Sequence, residues 1–449
     1  MISRRNLIQL LGAGALAGTT ARAAAQEQAQ DLDPVSGLHP QAQAEGRRRG
    51  YTPVITPNGR SLPFVMKGEV KEFHLVAEEI EHEFAPGCRA RCWGYNGSTP
   101  GPTIEAVEGE RVRILVTNKL PEPTSIHWHG ILLPNGMDGV SGLTQAPIQP
   151  GETWAYEFTL RQAGSHMYHP HFDEMVQMAM GMMGLFIVHP RQSSGEHGPP
   201  VDRDYAILLH NWALHPGTSR PDPSVMQEFD LWTFNSKVFP ATAPLLARSG
   251  ERVRIRLGNL SMWNHPMHLH GHRFWVTGSD GDRWPRSSWR PEVTHLVGVG
   301  QMRDLEFIAD NPGDWAFHCH MSHHTMNAMG HGIPNPIGVD QSGVQEKIRA
   351  MLPGYMAMGQ GGMGEMEQMA GMMQGPANTL PMSGGSGPYG SLGMGGMFTV
   401  LKVRDRLEGH GDPGWYRHPQ GTTAWRVTAA SAADGHDNGR DGAGMDHGG

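Results

Sequence analysis

Apolar and polar residues alternate in short runs along most of the chain. In Arg111-Val112-Arg113-Ile114-Leu115-Val116 the arginines take every second place at the start, and apolar residues fill the places between. That period of two marks a strand with one face buried. Runs of strand length recur at 72–77, 154–158, 184–188 and 204–209, separated by turn residues. The 60 Gly and 34 Pro suit short strands joined by many turns. The prediction is an all-β protein.

An internal repeat sets the organisation. Gly109-Glu110-Arg111-Val112-Arg113-Ile114 returns as Gly250-Glu251-Arg252-Val253-Arg254-Ile255, shifted by 141 positions. Asn118 matches Asn259 at that shift, and His127 and His129 match His268 and His270. Gly164 then matches Gly313 at a shift of 149, and His169 and His171 match His318 and His320. The growth of the shift implies a loop insertion in the second copy. Two similar β modules follow, 65–192 and 200–340, each long enough for a Greek-key sandwich. The copies differ where it matters chemically. His265, Cys319, His324 and Met329 of the second copy face Thr124, Pro170, Met175 and Met180 of the first.

The stretch His318-Cys319-His320-Met321-Ser322-His323-His324 carries the densest chemistry. If it begins as a strand, His318 and His320 share one face and Cys319 takes the other. Two metal sites then sit back to back. A thiolate from Cys319, imidazoles from His324 and His265, and a weak thioether from Met329 make a blue-copper set. The remaining histidines, His127, His129, His169, His171, His268, His270, His318 and His320, are too many for a closed four-ligand zinc site.

Together, His127-Trp128-His129-Gly130, His169-Pro170-His171, His265-x-x-His268-x-His270 and His318-Cys319-His320-x3-His324-x4-Met329 resemble the four copper motifs of multicopper oxidases, over roughly residues 90 to 335. The resemblance implies two cupredoxin-like Greek-key sandwiches, as in the small, two-domain laccase-like branch. His171 and His265 are 94 residues apart, which leaves no room for a middle module. It implies four coppers per subunit equivalent: one type 1 (His265, Cys319, His324, axial Met329), one type 2 (His127, His268) and two type 3 (the other six histidines). Electrons would pass from Cys319 to His318 and His320. Asp138 matches an acid that supplies protons in the family; read alone, it is a turn Asp before Gly. The place of a second acid in some relatives is taken by Thr325. The implied activity couples one-electron oxidation of a small reducing substrate or metal ion to reduction of dioxygen to water. Cuprous ion ranks first as substrate, then phenols, then Mn(II). The alternatives are a copper nitrite reductase, against which Pro170 speaks, and a copper-sequestering protein. The implied assembly is a homotrimer, because one half of the histidine set lies on each module.

The ends of the chain refine the picture. Residues 1–25 read as a signal: Ser3-Arg4-Arg5-Asn6-Leu7-Ile8 is a twin-arginine pattern, followed by a short apolar run and a small-residue cleavage region. That run is too short to span a bilayer, so no transmembrane segment is expected, and the expected location is periplasmic. Residues 26–64 read as a linker. Residues 341–396 are rich in Met and Gly and open two readings, a low-complexity linker or Cu(I) capture by thioethers. Residues 397–449 read as a strand, an arm with Trp415, Tyr416 and Trp425, and a disordered tail. Six methionines between Met167 and Met183 offer core filling or Cu(I) contact. The net charge of -8 does not suggest a nucleic-acid partner. For Cys88 and Cys92 both a disulfide and two free thiols stay open, since an extended strand would hold them about 13 Å apart.

Overall fold

The computed structural model describes residues 36–191, 198–215, 217–327, 342–351, 377–378, 380 and 384–426. Residues 1–25, Met329 and most methionines of the 341–396 stretch lie outside them. The chain divides into a main body, Met1–Trp415, and a short unit, Tyr416–Gly449, in which the Tyr416 and His418 rings meet at 5.3 Å. No described helix is long and apolar enough to cross a membrane.

Strands dominate, and the sheets pair into all-β sandwiches. One sheet runs Phe64–Lys67, Val70–Ala85, Arg111–Asn118, Thr153–Thr159, with Cys88–Tyr95 added on Val70–Ala85. Its partner runs Ile104–Val107, Gly184–His189, Gly164–His169, His127–His129. Phe73, Ile114, Tyr156, Trp128 and Phe186 share the core between them. Trp128 points into that core, so its neighbours His127 and His129 point away from it. The alternation in 111–116 is realised as exposed or half-buried Arg111 and Arg113 against buried Val112 and Ile114.

The second pair of sheets repeats the plan. Arg203–Trp212, Arg252–Asn259, Met302–Ile308 and Phe274–Ser279 lie side by side in one sheet. The other runs Leu245–Arg248, Phe398–Arg404, Gly313–Cys319, His265–Leu269, Thr294–Val297. A further core joins the halves: Met167, Leu185 and Ile187 of the first share one cluster with Ala206, Leu208 and Met302 of the second. Burying such side chains contributes about 1.5–3 kcal/mol each, so the two halves are held together by more than their linker.

Two expectations need correction. The stretch 26–64 is not a plain linker. Helix Pro40–Arg49 is capped by the His39 ring and closed by Gly50 in the left-handed conformation. Glu45, buried in it, binds the exposed Arg48 and Arg49. Val54–Ile55 then adds to the second module's sheet beside Asp204 and Tyr205.

The second module also does not end at 340. Phe398–Arg404 inserts between Leu245–Arg248 and Gly313–Cys319, so the Met-rich stretch interrupts a sandwich rather than trailing it. Its hydrophobic run is buried at every position but the last, as a central strand requires. Beside this strand, Lys402 Nζ lies over the Trp415 ring at 4.7 Å, and Arg404 Nη2 donates to Gly414 O at 2.7 Å.

Four of the six methionines near Met175 are core: Met167, Met180, Met182 and Met183 are buried. Cys88 and Cys92 are free, buried thiols on one strand.

Candidate metal centres

The sheet built around Gly313–Cys319 places one cluster by strand register. Met267 pairs with Cys319, so His265, two residues before Met267, sits beside the thiol. His324 returns on the 3-10 turn Ser322–Thr325. Cys319 Sγ lies 3.6 Å from His265 Nδ1 and 3.4 Å from His324 Nδ1, and the two nitrogens are 3.1 Å apart. All three residues are fully buried. Ser261 Oγ meets His265 Nε2 at 2.7 Å, which fixes the ring with Nδ1 towards the thiol. Trp232 stacks on His324 at 3.6 Å between ring centres, with planes 21° apart. The turn is tied to the returning strand: Met397 N donates to His324 O, and Cys319 N donates to Met397 O.

The electrostatics of this cluster ask for a cation. Burial pushes His265 down to about 3, and burial, then His265 and His323, push His324 to about 2. Burial raises the Cys319 thiol to about 12. Both imidazoles are therefore neutral, with lone pairs free for a metal, while a thiolate is stable there only beside positive charge. Two nitrogens and one sulfur fit copper. Met329, expected as the weak axial ligand, lies outside the described residues.

The eight remaining histidines form two quartets. In the first, His127 pairs with His169 across adjacent strands. The His127 ring lies 5.8, 5.4 and 5.6 Å from those of His129, His169 and His171. His127 Nδ1 donates to Asp138 O at 2.9 Å and His169 Nδ1 to Pro170 O at 2.9 Å. Each donation leaves Nε2 free as a ligand. In the second, His268 pairs with His318. The His268 ring lies 4.7, 5.6 and 5.4 Å from those of His270, His318 and His320. His268 Nδ1 donates to Val293 O and His318 Nδ1 to Cys319 O, repeating the pattern. Burial lowers His169 to about 3 and His318 to about 4, so both are neutral ligands in waiting.

Each quartet closes on itself. No hydrogen bond or ring contact joins one to the other among the described residues. His270 and His320 of the second are exposed. Asp138 Oδ1 is 3.4 Å from His127 Nδ1. Thr325 is buried and donates to Ser322 O.

Sequence reasoning missed Glu174, whose carboxylate lies 3.6 Å from His169 Nδ1 and 3.8 Å from His171 Nε2. The available signal was the acid three residues after the His-x-His motif, where the repeat has His323. It also missed Trp232, which lies outside every motif. Of the other histidines, His166 and His272 are buried, His295 binds Glu292, and His323 is exposed beside Trp232 and Trp263.

The sandwiches and the buried N,N,S cluster define a copper-binding β protein. Sequence profiles described as multicopper oxidase match residues 77–193 and again 215–337. The chain belongs to the multicopper oxidase family. It is 30% identical over 271 residues to a probable nitrite reductase-hydroxylamine oxidoreductase fusion protein of Kuenenia stuttgartiensis, covering 57% of this chain and 30% of that one. It is 35% identical over 152 residues to copper resistance protein A of Escherichia coli, covering 34% and 24%. The chain thus spans well under half the length of these curated relatives. Among solved structures it resembles the blue copper oxidase of Nitrosomonas europaea, with TM-score 0.55, 27% identity, and 74% and 85% covered.

Proposed function

We propose that the protein is an oxidase that takes electrons one at a time from a small reductant at Cys319 and delivers them to dioxygen at the histidine quartets. The observation that carries this reading is one strand, Gly313–Cys319, which ends with Cys319 in the buried cluster and His318 in the second quartet. Bound copper would supply the redox steps: one-electron acceptance at a type 1 site, and four-electron reduction of dioxygen to water at a type 2 and two type 3 sites. His265, Cys319 and His324, joined by Met329, would hold the first. His127 and His268 would hold the second, and His129, His169, His171, His270, His318 and His320 the type 3 pair.

The chain's own residues do the rest. Trp232 covers one face of His324, and burial excludes water from the thiolate. The peptide between His318 and Cys319 links the two sites covalently. Asp138 Oδ1, 3.4 Å from His127 Nδ1 and partly exposed, would pass protons from solvent.

Cuprous ion is the favoured substrate, then phenols or Mn(II). Support comes from the chain path: the Met-rich stretch leaves the buried cluster after Asn327 and returns at Gly395 and Gly396, which donate to Thr325 O and Asn327 Oδ1. The likeness to copper resistance protein A points the same way. Two quartets that do not meet within one chain support a homotrimer in which the first half of one subunit completes the second half of the next. Export to the periplasm by the twin-arginine route rests on the 1–25 motif alone.

The reading is tested optically. Copper-loaded protein should be blue, and Cys319→Ser should be colourless; a blue Cys319→Ser protein would refute the assignment. Nitrite consumption without oxygen uptake would instead favour the reductase.

A further inference from the structure

The most cationic cavity described lies away from both copper clusters, at the seam between the two sandwiches. It has a volume of about 880 Å³. Its walls come from three parts of the chain. The first sandwich and the connector supply Arg161 and Arg191, the second sandwich supplies Arg254, Arg256 and Arg283, and the N-terminal helix supplies Arg49. Among the described residues, two acids, Glu108 and Asp304, line it.

The ion pairing around it is incomplete. Asp204, behind the wall, grips Arg256 with two oxygens at 2.8 Å and also meets Arg254 at 3.2 Å. Glu306 serves both Arg252 and Arg283. Arg49 is answered by Glu45 and Glu110. Among the described residues, the exposed guanidiniums of Arg161 and Arg191 make no ion pair, although Arg191 N donates to Glu108 Oε2 at 3.4 Å. Of the other guanidiniums on the wall, Arg254, Arg256 and Arg283 are answered by Asp204, Asp304 and Glu306, which leaves Arg161 and Arg191 as the positive charge without an ion pair. Arg252 Nη2, Arg254 Nε and Arg283 Nε are buried donors with no acceptor. Burial lowers Arg283, and Arg254 and Arg256 push it further down against the pull of Glu306.

Buried guanidinium N–H donors without acceptors are costly, and an oxygen anion that meets them and the two unpaired guanidiniums beside them is stabilised. Guanidiniums on several walls offer forked donors that suit oxygen anions. We infer that this seam cavity is a binding site for a compact dianion bearing oxygen acceptors, a tetrahedral oxyanion or a dicarboxylate, which ties the two sandwiches and the N-terminal helix together. The site is independent of the copper chemistry.

The test is calorimetric titration of the full-length copper-loaded protein with sulfate, inorganic phosphate and succinate, at ionic strength fixed with chloride. One dianion should bind saturably at one per chain and raise the melting temperature. Whether that is sulfate, phosphate or succinate distinguishes oxyanion from dicarboxylate. The double variant Arg161→Ala/Arg191→Ala alters wall residues without ion pairs, so it should fold and keep its blue colour, yet bind at least tenfold more weakly. Arg290→Ala, exposed and outside the cavity, should bind as before. The inference is overturned by no saturable binding of any of the three, by undiminished binding in the double variant, or by equal weakening in Arg290→Ala.

Discussion

Cys319 sits where burial opposes the thiolate that its proposed role needs, and its two imidazole neighbours are held neutral by the same burial. The cost is met only by a bound cation, so the residue-level chemistry and the metal are inseparable. Asp138 is different: it touches His127 from outside and holds no place in either core. Asp138→Asn should keep the blue band and the fold while slowing oxygen consumption about a hundredfold, the low end for losing a positioned proton donor. Rapid-mixing spectroscopy should find normal bleaching of the blue band by reductant and slow recovery with oxygen. Unchanged steady-state turnover would leave Asp138 as the turn residue its sequence context also allows. The residues of the clusters were legible because the repeat aligned them and strand periodicity put His318 and Cys319 on opposite faces. Trp232 was not, because only the folded chain brings it to His324, and Glu174, three residues after His171, was passed over because the repeat has His323 in its place.

At the scale of elements, alternation identified the strands correctly, but it could not reveal which strands pair. Phe398–Arg404 reads as an isolated apolar run, and its place beside Gly313–Cys319 is a long-range pairing across a stretch with little periodicity. The helix Pro40–Arg49 was hidden by its polarity: its stabilising features are a cap and ion pairs within the helix, not an apolar face. The pairing changes how the Met-rich stretch should be tested. Gly395, Gly396 and Met397 hold the loop of His324, so a deletion must stop short of them. Replacing 354–376 with a Gly-Ser linker of equal length should leave the blue band intact. It should lower cuprous oxidation several-fold while phenol oxidation changes by less than about twofold. Equal effects on both donors in oxygen-uptake assays would return the stretch to the linker reading.

At the scale of the whole molecule, the central question is where the quartets meet. Interfacial assembly predicts that His169→Ala and His318→Ala chains, each inactive, regain activity when mixed under subunit exchange. The regained fraction comes from contacts where the two intact halves face each other. No rescue despite proven exchange, or a fully active monomer in sedimentation, would place the oxygen chemistry within one chain. The proposed function itself is tested most directly by electron accounting. With copper-loaded protein and a measured amount of reductant, dissolved oxygen and peroxide are followed together. The account predicts four electrons consumed per dioxygen, no released peroxide, and loss of this consumption to background in Cys319→Ser. Two electrons per dioxygen with peroxide accumulating, or undiminished uptake in Cys319→Ser, would contradict it.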